Sequence, residues 1–289
     1  MLTKSYRVAG HVFSLKMDES DSLWTSMGNY VPFIFEESDE RIFSLEFVRS
    51  LRYSSKKAFF VPSRDESLPR LDIYTIDGGY LFEMAPLGNV PVSGWLAVSS
   101  DFSKGELMVA KNESFCLNKS LMLMYAFRTA GMDTMEMHAS VTVKDGRGFL
   151  FLGKSGTGKS THSQLWLKNI PGTHLLNDDN PIVRIVDGKV WVYGTPWSGK
   201  TPCYRNEKFP VRAFVKINQA PHNRIRRLPP LESFAILLSS TSGLRAIRSV
   251  TDSLFATISS VTESVPCYML DCRPDDEAAK VCSKAVLKD

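Results

Sequence analysis

Residues 149–161 read Phe149-Leu150-Phe151-Leu152-Gly153-Lys154-Ser155-Gly156-Thr157-Gly158-Lys159-Ser160-Thr161. An apolar run leads into Gly-x-x-x-x-Gly-Lys-Ser, and helix-forming residues follow. That is the spacing of a phosphate-binding loop in the setting it requires, a strand before and a helix after. Gly153, Gly156 and Gly158 admit backbone angles that other residues avoid, so successive N–H groups can turn toward phosphate oxygens. A helix beginning near Lys159 adds free N–H groups and the positive end of its dipole. In this pattern Lys159 reaches the β- and γ-phosphates and the Ser160 hydroxyl ligates Mg2+. The expected ligand of residues 153–161 is a nucleotide, ATP with Mg2+.

A second chemical feature follows eighteen residues on. Thr173-His174-Leu175-Leu176-Asn177-Asp178-Asp179 reads as a short strand that ends in two acids. A strand, helix, strand crossover brings both strand ends to one edge of a sheet, so Asp178 and Asp179 are expected beside the bound phosphates. One carboxylate there can hold Mg2+ directly or through water. The other can take a proton from an attacking hydroxyl. The plainer alternative is a turn or a helix cap, where Asp is common.

The loop Gly194-Thr195-Pro196-Trp197-Ser198-Gly199-Lys200-Thr201 also fits the letters of a phosphate loop. Pro202 follows at once and no helix start is visible, so a second nucleotide site is not expected. The loop is instead expected to form the acceptor side of the site. Lys200 would be a second cation opposite Lys159, and Trp197 a flat apolar wall. The alternative is a hairpin exit with Trp197 in the core.

These residues need a scaffold. His138-Ala139-Ser140-Val141-Thr142-Val143 and Gly148 to Leu152 are expected to form a hairpin around Lys144-Asp145-Gly146-Arg147, and Asp187-Gly188 marks a second hairpin. Helices are expected over 117–130, from Ser160 to about Lys168, over 231–240 and 250–260, and from about Pro274. Further strands are expected over Val211–Ile217 and Val265–Leu270, with Arg224, Arg226 and Arg227 in a basic turn. The Met-rich stripe of the 117–130 helix is expected in the core. The first 112 residues read as strands and turns, including Tyr6–Leu15, Val31–Phe35, Arg41–Val48, Leu71–Ile76 and Leu107–Ala110. The fold expected is α/β of the α+β kind. A β-rich region at 1–112, a scaffold or a surface that positions an acceptor or partner, precedes a nucleotide-binding domain at 113–289 with a mixed sheet and flanking helices. His162 and His174 are expected to pack rather than to do chemistry.

Composition narrows the classes. The net charge of +4 suits an acidic ligand and is no nucleic-acid signature. Five widely spaced cysteines show no metal-ligand spacing and read as reduced thiols. Lys4, Arg7 and His11 interrupt any apolar leader, and no run approaches membrane-spanning length. A cytoplasmic protein without nucleic-acid or membrane partners is expected, its self-association left open.

Gly153 to Ser160, a short helix and the strand ending in Asp178-Asp179 together resemble the kinase domain of bacterial HPr kinase/phosphorylase. ATP-dependent phosphoenolpyruvate carboxykinase shows a similar loop and acid pair. His138-Ala139-Ser140 also resembles the His-led strand of HPr kinase. The resemblance covers roughly 135–200. It implies that Lys159 and Ser160 bind phosphate and Mg2+, that Asp178 is the general base, that Asp179 helps hold the metal, and that His138 lies near the transferred phosphate. The Glu-x-Arg-Gly signature of HPr kinase/phosphorylase is absent here, so its docking and phosphorolysis residues do not carry over. The expected activity is therefore transfer of a γ-phosphoryl group to a hydroxyl of an unidentified protein or small molecule. ATP is the expected donor, with pyrophosphate as the analogy-based alternative. A regulatory module that hydrolyses ATP slowly or not at all, and a carboxykinase-like enzyme acting on a small acid, are the competing readings.

Overall fold

The computed structural model describes all residues except 37–39, 63, 64, 67, 200, 244–246 and 289. It is an α+β fold with two mixed sheets, in two compact units, Met1–Arg128 and Thr129–Asp289. Among the described residues no helix is long and apolar enough to cross a membrane. All five cysteines are unpaired.

In the first unit, β1 (Leu2–Val8), β2 (His11–Met17), α1 (Leu23–Ser26) and β3 (Phe43–Phe47) come first. β4 (Lys57–Phe60), β5 (Arg70–Ile76), β6 (Gly79–Ala85), β7 (Gly94–Ser99), β8 (Lys104–Val109) and α2 (Glu113–Thr129) follow. The strands form one sheet in the order β1-β2-β3-β8-β7-β6-β5-β4. Two expectations fail here. Tyr6–Leu15 is not one strand, because Ala9 and Gly10 both take positive φ and fold it into the β1–β2 hairpin. Val31–Phe35 is not a strand either. Gly28–Phe33 is a 3₁₀ helix containing Pro32, whose fixed φ suits a helical turn and whose missing N–H suits no central strand.

The compact units divide after Arg128, whereas the sequence reading places the boundary at 112/113. The reason is α2. Cys116, Leu117, Leu121 and Met124 on it are fully or almost fully buried, and the first sheet makes room for them. A Cβ at Gly94 would stand 2.6 Å from Cys116 Sγ, and one at Gly105 would collide with Met124 Sδ. Phe127 packs on Phe82 with ring centroids 6.0 Å apart.

The second unit contains β9 (Thr134–Glu136), β10 (Ala139–Lys144), β11 (Arg147–Leu152), α3 (Lys159–Asn169), β12 (His174–Asp179), β13 (Ile182–Val186) and β14 (Lys189–Tyr193). β15 (Lys208–Gln219), β16 (Arg224–Arg227), α4 (Pro230–Ser240), α5 (Arg248–Ser264), β17 (Cys267–Cys272) and α6 (Asp276–Val286) complete it. Both expected hairpin turns form, with positive φ at Asp145 and Gly146 and at Asp187 and Gly188. The path of the sheet is β12-β10-β11-β15-β14-β13-β9, with β17 on the second half of β15 and β16 on β17. Arg224, Arg226 and Arg227 thus lie in a strand rather than in the expected turn. Ile225 pairs with Leu270, and Arg226 pairs with Glu232 at 2.7 Å.

The core between the sheet, α3 and α6 is Phe149, Phe151, Trp166, Val215, Leu270 and Cys282. His162 belongs to this layer. Its ring meets Phe151 edge-on at 4.7 Å, and its Nε2 accepts from Trp166 Nε1 at 3.1 Å. Burial pushes its pKa from 6.5 to about 4. Between those values the unfolded chain binds a proton that the folded chain refuses, so stability falls as pH drops through this window. The contribution reaches about 3 kcal/mol at 1.36 kcal/mol per unit. Urea unfolding of wild type and His162→Phe at pH 7 and pH 4.5 should show a smaller acid loss in the variant. Equal losses would contradict this role.

Candidate functional site

The loop leaves β11 at Leu152 and enters α3 at Lys159. Gly156 and Gly158 have φ of 80° and 100°, angles that open the loop backbone inward. Gly153 is needed for a different reason. A Cβ there would collide with Thr157 Oγ1, and that hydroxyl donates to the Lys154 carbonyl at 2.8 Å to close the loop. Ser155 is exposed at the loop's tip, and Thr161 is exposed on the first turn of α3.

One row of residues fixes the site. β10 runs antiparallel to both β11 and β12, and Ala139 is opposite Leu152 on one side and Asp179 on the other. Leu152 in turn is opposite Lys216 of β15. The end of β11, the acids and a lysine therefore share one edge. The expected crossover is present, with β10 inserted between its two parallel strands. A buried 2.6 Å hydrogen bond between the Ser140 and Ser163 hydroxyls ties β10 to α3.

Side chains converge on this edge. Lys159 Nζ lies 2.8 Å from His138 Nε2 and donates to the Gly153 carbonyl at 3.0 Å. His138 Nε2 is also 3.3 Å from Asp179 Oδ1. Burial, then the Lys159 charge, holds His138 below the usual imidazole range. Its neutral ring can therefore accept from the lysine. Burial likewise lowers Lys159, against the pull of Asp179 and Asp178. The Ser160 hydroxyl donates to Asp178 Oδ1 at 2.9 Å. Asp178 is buried, while the Asp179 side chain is 39% exposed.

The loop from Thr195 to Gly199 docks on the strand end that carries the acids. Asn177 Nδ2 donates to Thr195 Oγ1 at 3.0 Å and to the Trp197 carbonyl at 3.1 Å. The Gly199 N–H and the Ser198 hydroxyl both donate to the Asp178 carbonyl. Trp197 is buried, so it is no open wall. Lys200 lies outside the described residues.

Lys216 is a cation that the sequence reading passed over. In Val211–Ile217 it looks like one outward residue of an alternating strand, and only the parallel pairing with β11 brings it beside the loop. Burial and the neighbouring Lys154 charge lower its pKa. Its own charge in turn adds to the lowering of His138 and Lys159.

No protein-family model matches the chain, and no curated protein matches it. Among solved structures it is similar to the Hpr(Ser) kinase/phosphatase from Coxiella burnetii. Identity is 13%, the TM-score is 0.32, and the match spans 53% of this chain and 97% of that one. At that score the likeness decides nothing about the site.

Asp179 carries backbone strain. Its φ of 137° lies where a residue with a Cβ is held at a cost of about 1–3 kcal/mol. Asp179→Gly should therefore keep or raise the melting temperature, while Asp179→Val lowers it by several degrees. Thermal unfolding checks this, and an equal drop in both variants would remove strain from the account.

Proposed function

We propose that the second unit binds Mg·ATP on the 153–161 loop and transfers the γ-phosphoryl group to a hydroxyl acceptor. The observation that carries this reading is two sets of contacts at the mouth of a glycine loop: His138 Nε2 lies 2.8 Å from Lys159 Nζ and 3.3 Å from Asp179 Oδ1, and the Ser160 hydroxyl donates to Asp178 at 2.9 Å.

The donor set fits the implied ion. Ser160, Asp178 and Asp179 offer hydroxyl and carboxylate oxygens, the ligands Mg2+ prefers. Among the described residues no three His, Cys, Asp or Glu side chains gather into a metal cage. Mg2+ is commonly held by one or two carboxylates together with substrate phosphates, and needs no such cage. When bound, the ion neutralises charge on the phosphate oxygens.

The chain's own groups supply the rest. Loop N–H groups and the start of α3 orient the phosphates. Lys159, held by neutral His138 and the Gly153 carbonyl, is placed to exchange those neutral contacts for phosphate oxygens. Lys216 adds a second positive charge, the duty sought from Lys200. Charge in the transition state spreads over three phosphoryl oxygens, so fixed cations at the start of α3 and on β15 stabilise it. Asp178 Oδ1 accepts from the Ser160 hydroxyl, and the other carboxylate oxygen is the one to take a proton from the acceptor hydroxyl. The acceptor oxygen attacks phosphorus, the bond to the β-phosphate oxygen breaks, ADP leaves, and the acceptor proton passes to Asp178.

Asp178→Asn should still bind Mg·ATP and lose about 10²–10⁴-fold in transfer, the usual weight of a general base. Calorimetry and γ-labelled ATP, with a cell extract as acceptor source, measure the two. Near-normal transfer by this variant would overturn the assignment.

A further inference from the structure

β4 is the last strand of the first unit's sheet, and it pairs only with β5. Among the described residues no backbone hydrogen bond reaches Lys57–Phe60 from the other side. Alternate N–H and C=O groups of such a strand point outward, a ready template for another strand. The side chains there are apolar and in water. Phe59, Phe60 and Val61 are 37%, 42% and 48% exposed. A cluster of exposed apolar groups marks an interaction surface.

The other sheet edges of this chain are closed. Ile34 bridges Tyr6 on β1, and the Phe35 N–H donates to the Ser5 carbonyl at 2.9 Å. Ser198 bridges Asp179 on β12, and the Cys203 thiol donates to the Leu176 carbonyl at 3.3 Å. β9 is buried at all three of its positions. β16 guards its edge with Arg224, Arg226 and Arg227, charges that resist pairing. Beside β4 one such guard is drawn away. Lys56 Nζ is held by Glu83 at 2.5 Å and stands 4.3 Å over the Tyr74 ring. Lys57 is then the one charge on the strand, at its first position.

This edge suits a second copy of itself. A two-fold axis makes a patch meet the same patch, and across a sheet edge it pairs the strand antiparallel with its own copy. Centred on Phe60, that pairing sets Phe60 of one copy on Phe60 of the other and Phe59 on Val61. These are cross-strand contacts between large apolar groups. The charges agree with it. Exposed Arg52 and Lys57 precede the apolar run, and exposed Asp65 and Glu66 follow it. Antiparallel pairing brings the acidic end of one copy toward the basic end of the other. We propose that β4 joins two copies of this chain into a dimer by pairing their edges into one continuous sheet. The proposal does not depend on nucleotide binding by the second unit.

Sedimentation velocity over a concentration series should show wild type passing from monomer to dimer. Phe60→Glu and Phe60→Lys each set like charges together at the axis and should associate at least about tenfold more weakly, one decade of affinity. Mixed in equal amounts, the two variants set Glu against Lys and should recover the dimer. A merely structural role for Phe60 gives no such recovery. Val61→Glu should also weaken association and covers a failure of either variant to fold, checked by melting temperature. Wild type that stays monomeric at every concentration would overturn the proposal. So would folded variants that associate like wild type, or a mixture no more associated than its components.

Discussion

The site depends on how β10 is inserted. A chain that passes from β11 through α3 to β12 could place its two strands side by side. Here β10 lies between them and pairs with both. Ala139, a small residue, is opposite Leu152 and Asp179 at once. That register sets the distance from the glycine loop at 153–158 to the acids. It also places His138, the residue before the strand, where its Nε2 accepts from Lys159 and lies 3.3 Å from Asp179 Oδ1. A one-residue slip would turn Asp178 and Asp179 to opposite faces from those they occupy. The buried Ser140–Ser163 hydrogen bond and the core around Phe151 and Trp166 hold the register from the helix side.

Holding charge in this place is costly. Lys159 is almost fully buried, and its ammonium keeps only neutral acceptors and nearby carboxylates for company. Asp179 adds an unfavourable φ. Buried charge and backbone strain at one point are features that folds retain where a site works, not where they gain stability. The surrounding structure compensates with the hydrogen bonds from Asn177, Ser198 and Gly199 that clamp the strand end.

Much of this was legible in the sequence where local chemistry dictates geometry. The glycine spacing of 153–158 specifies a loop because few other residues reach those angles. Asp145-Gly146 and Asp187-Gly188 specify tight hairpins for the same reason. The crossover rule brought the acids to the loop from eighteen residues away. Where pairing between distant strands decides, the sequence is silent. Lys216 looks like any outward lysine until β15 is set parallel to β11. Arg224–Arg227 looks like a turn until β17 offers it a partner. Ala9-Gly10 hid inside an alternating run because Ala is no strong turn signal.

The central claim is that the glycine loop and Lys159 bind a nucleotide's phosphates, and calorimetric titration of Mg·ATP into wild type and Lys159→Ala tests it most directly. The account predicts saturable one-site binding by wild type and its loss or severe weakening in the variant, with the melting temperature of the free protein preserved. Binding of equal strength in both proteins, or none to wild type, would contradict it.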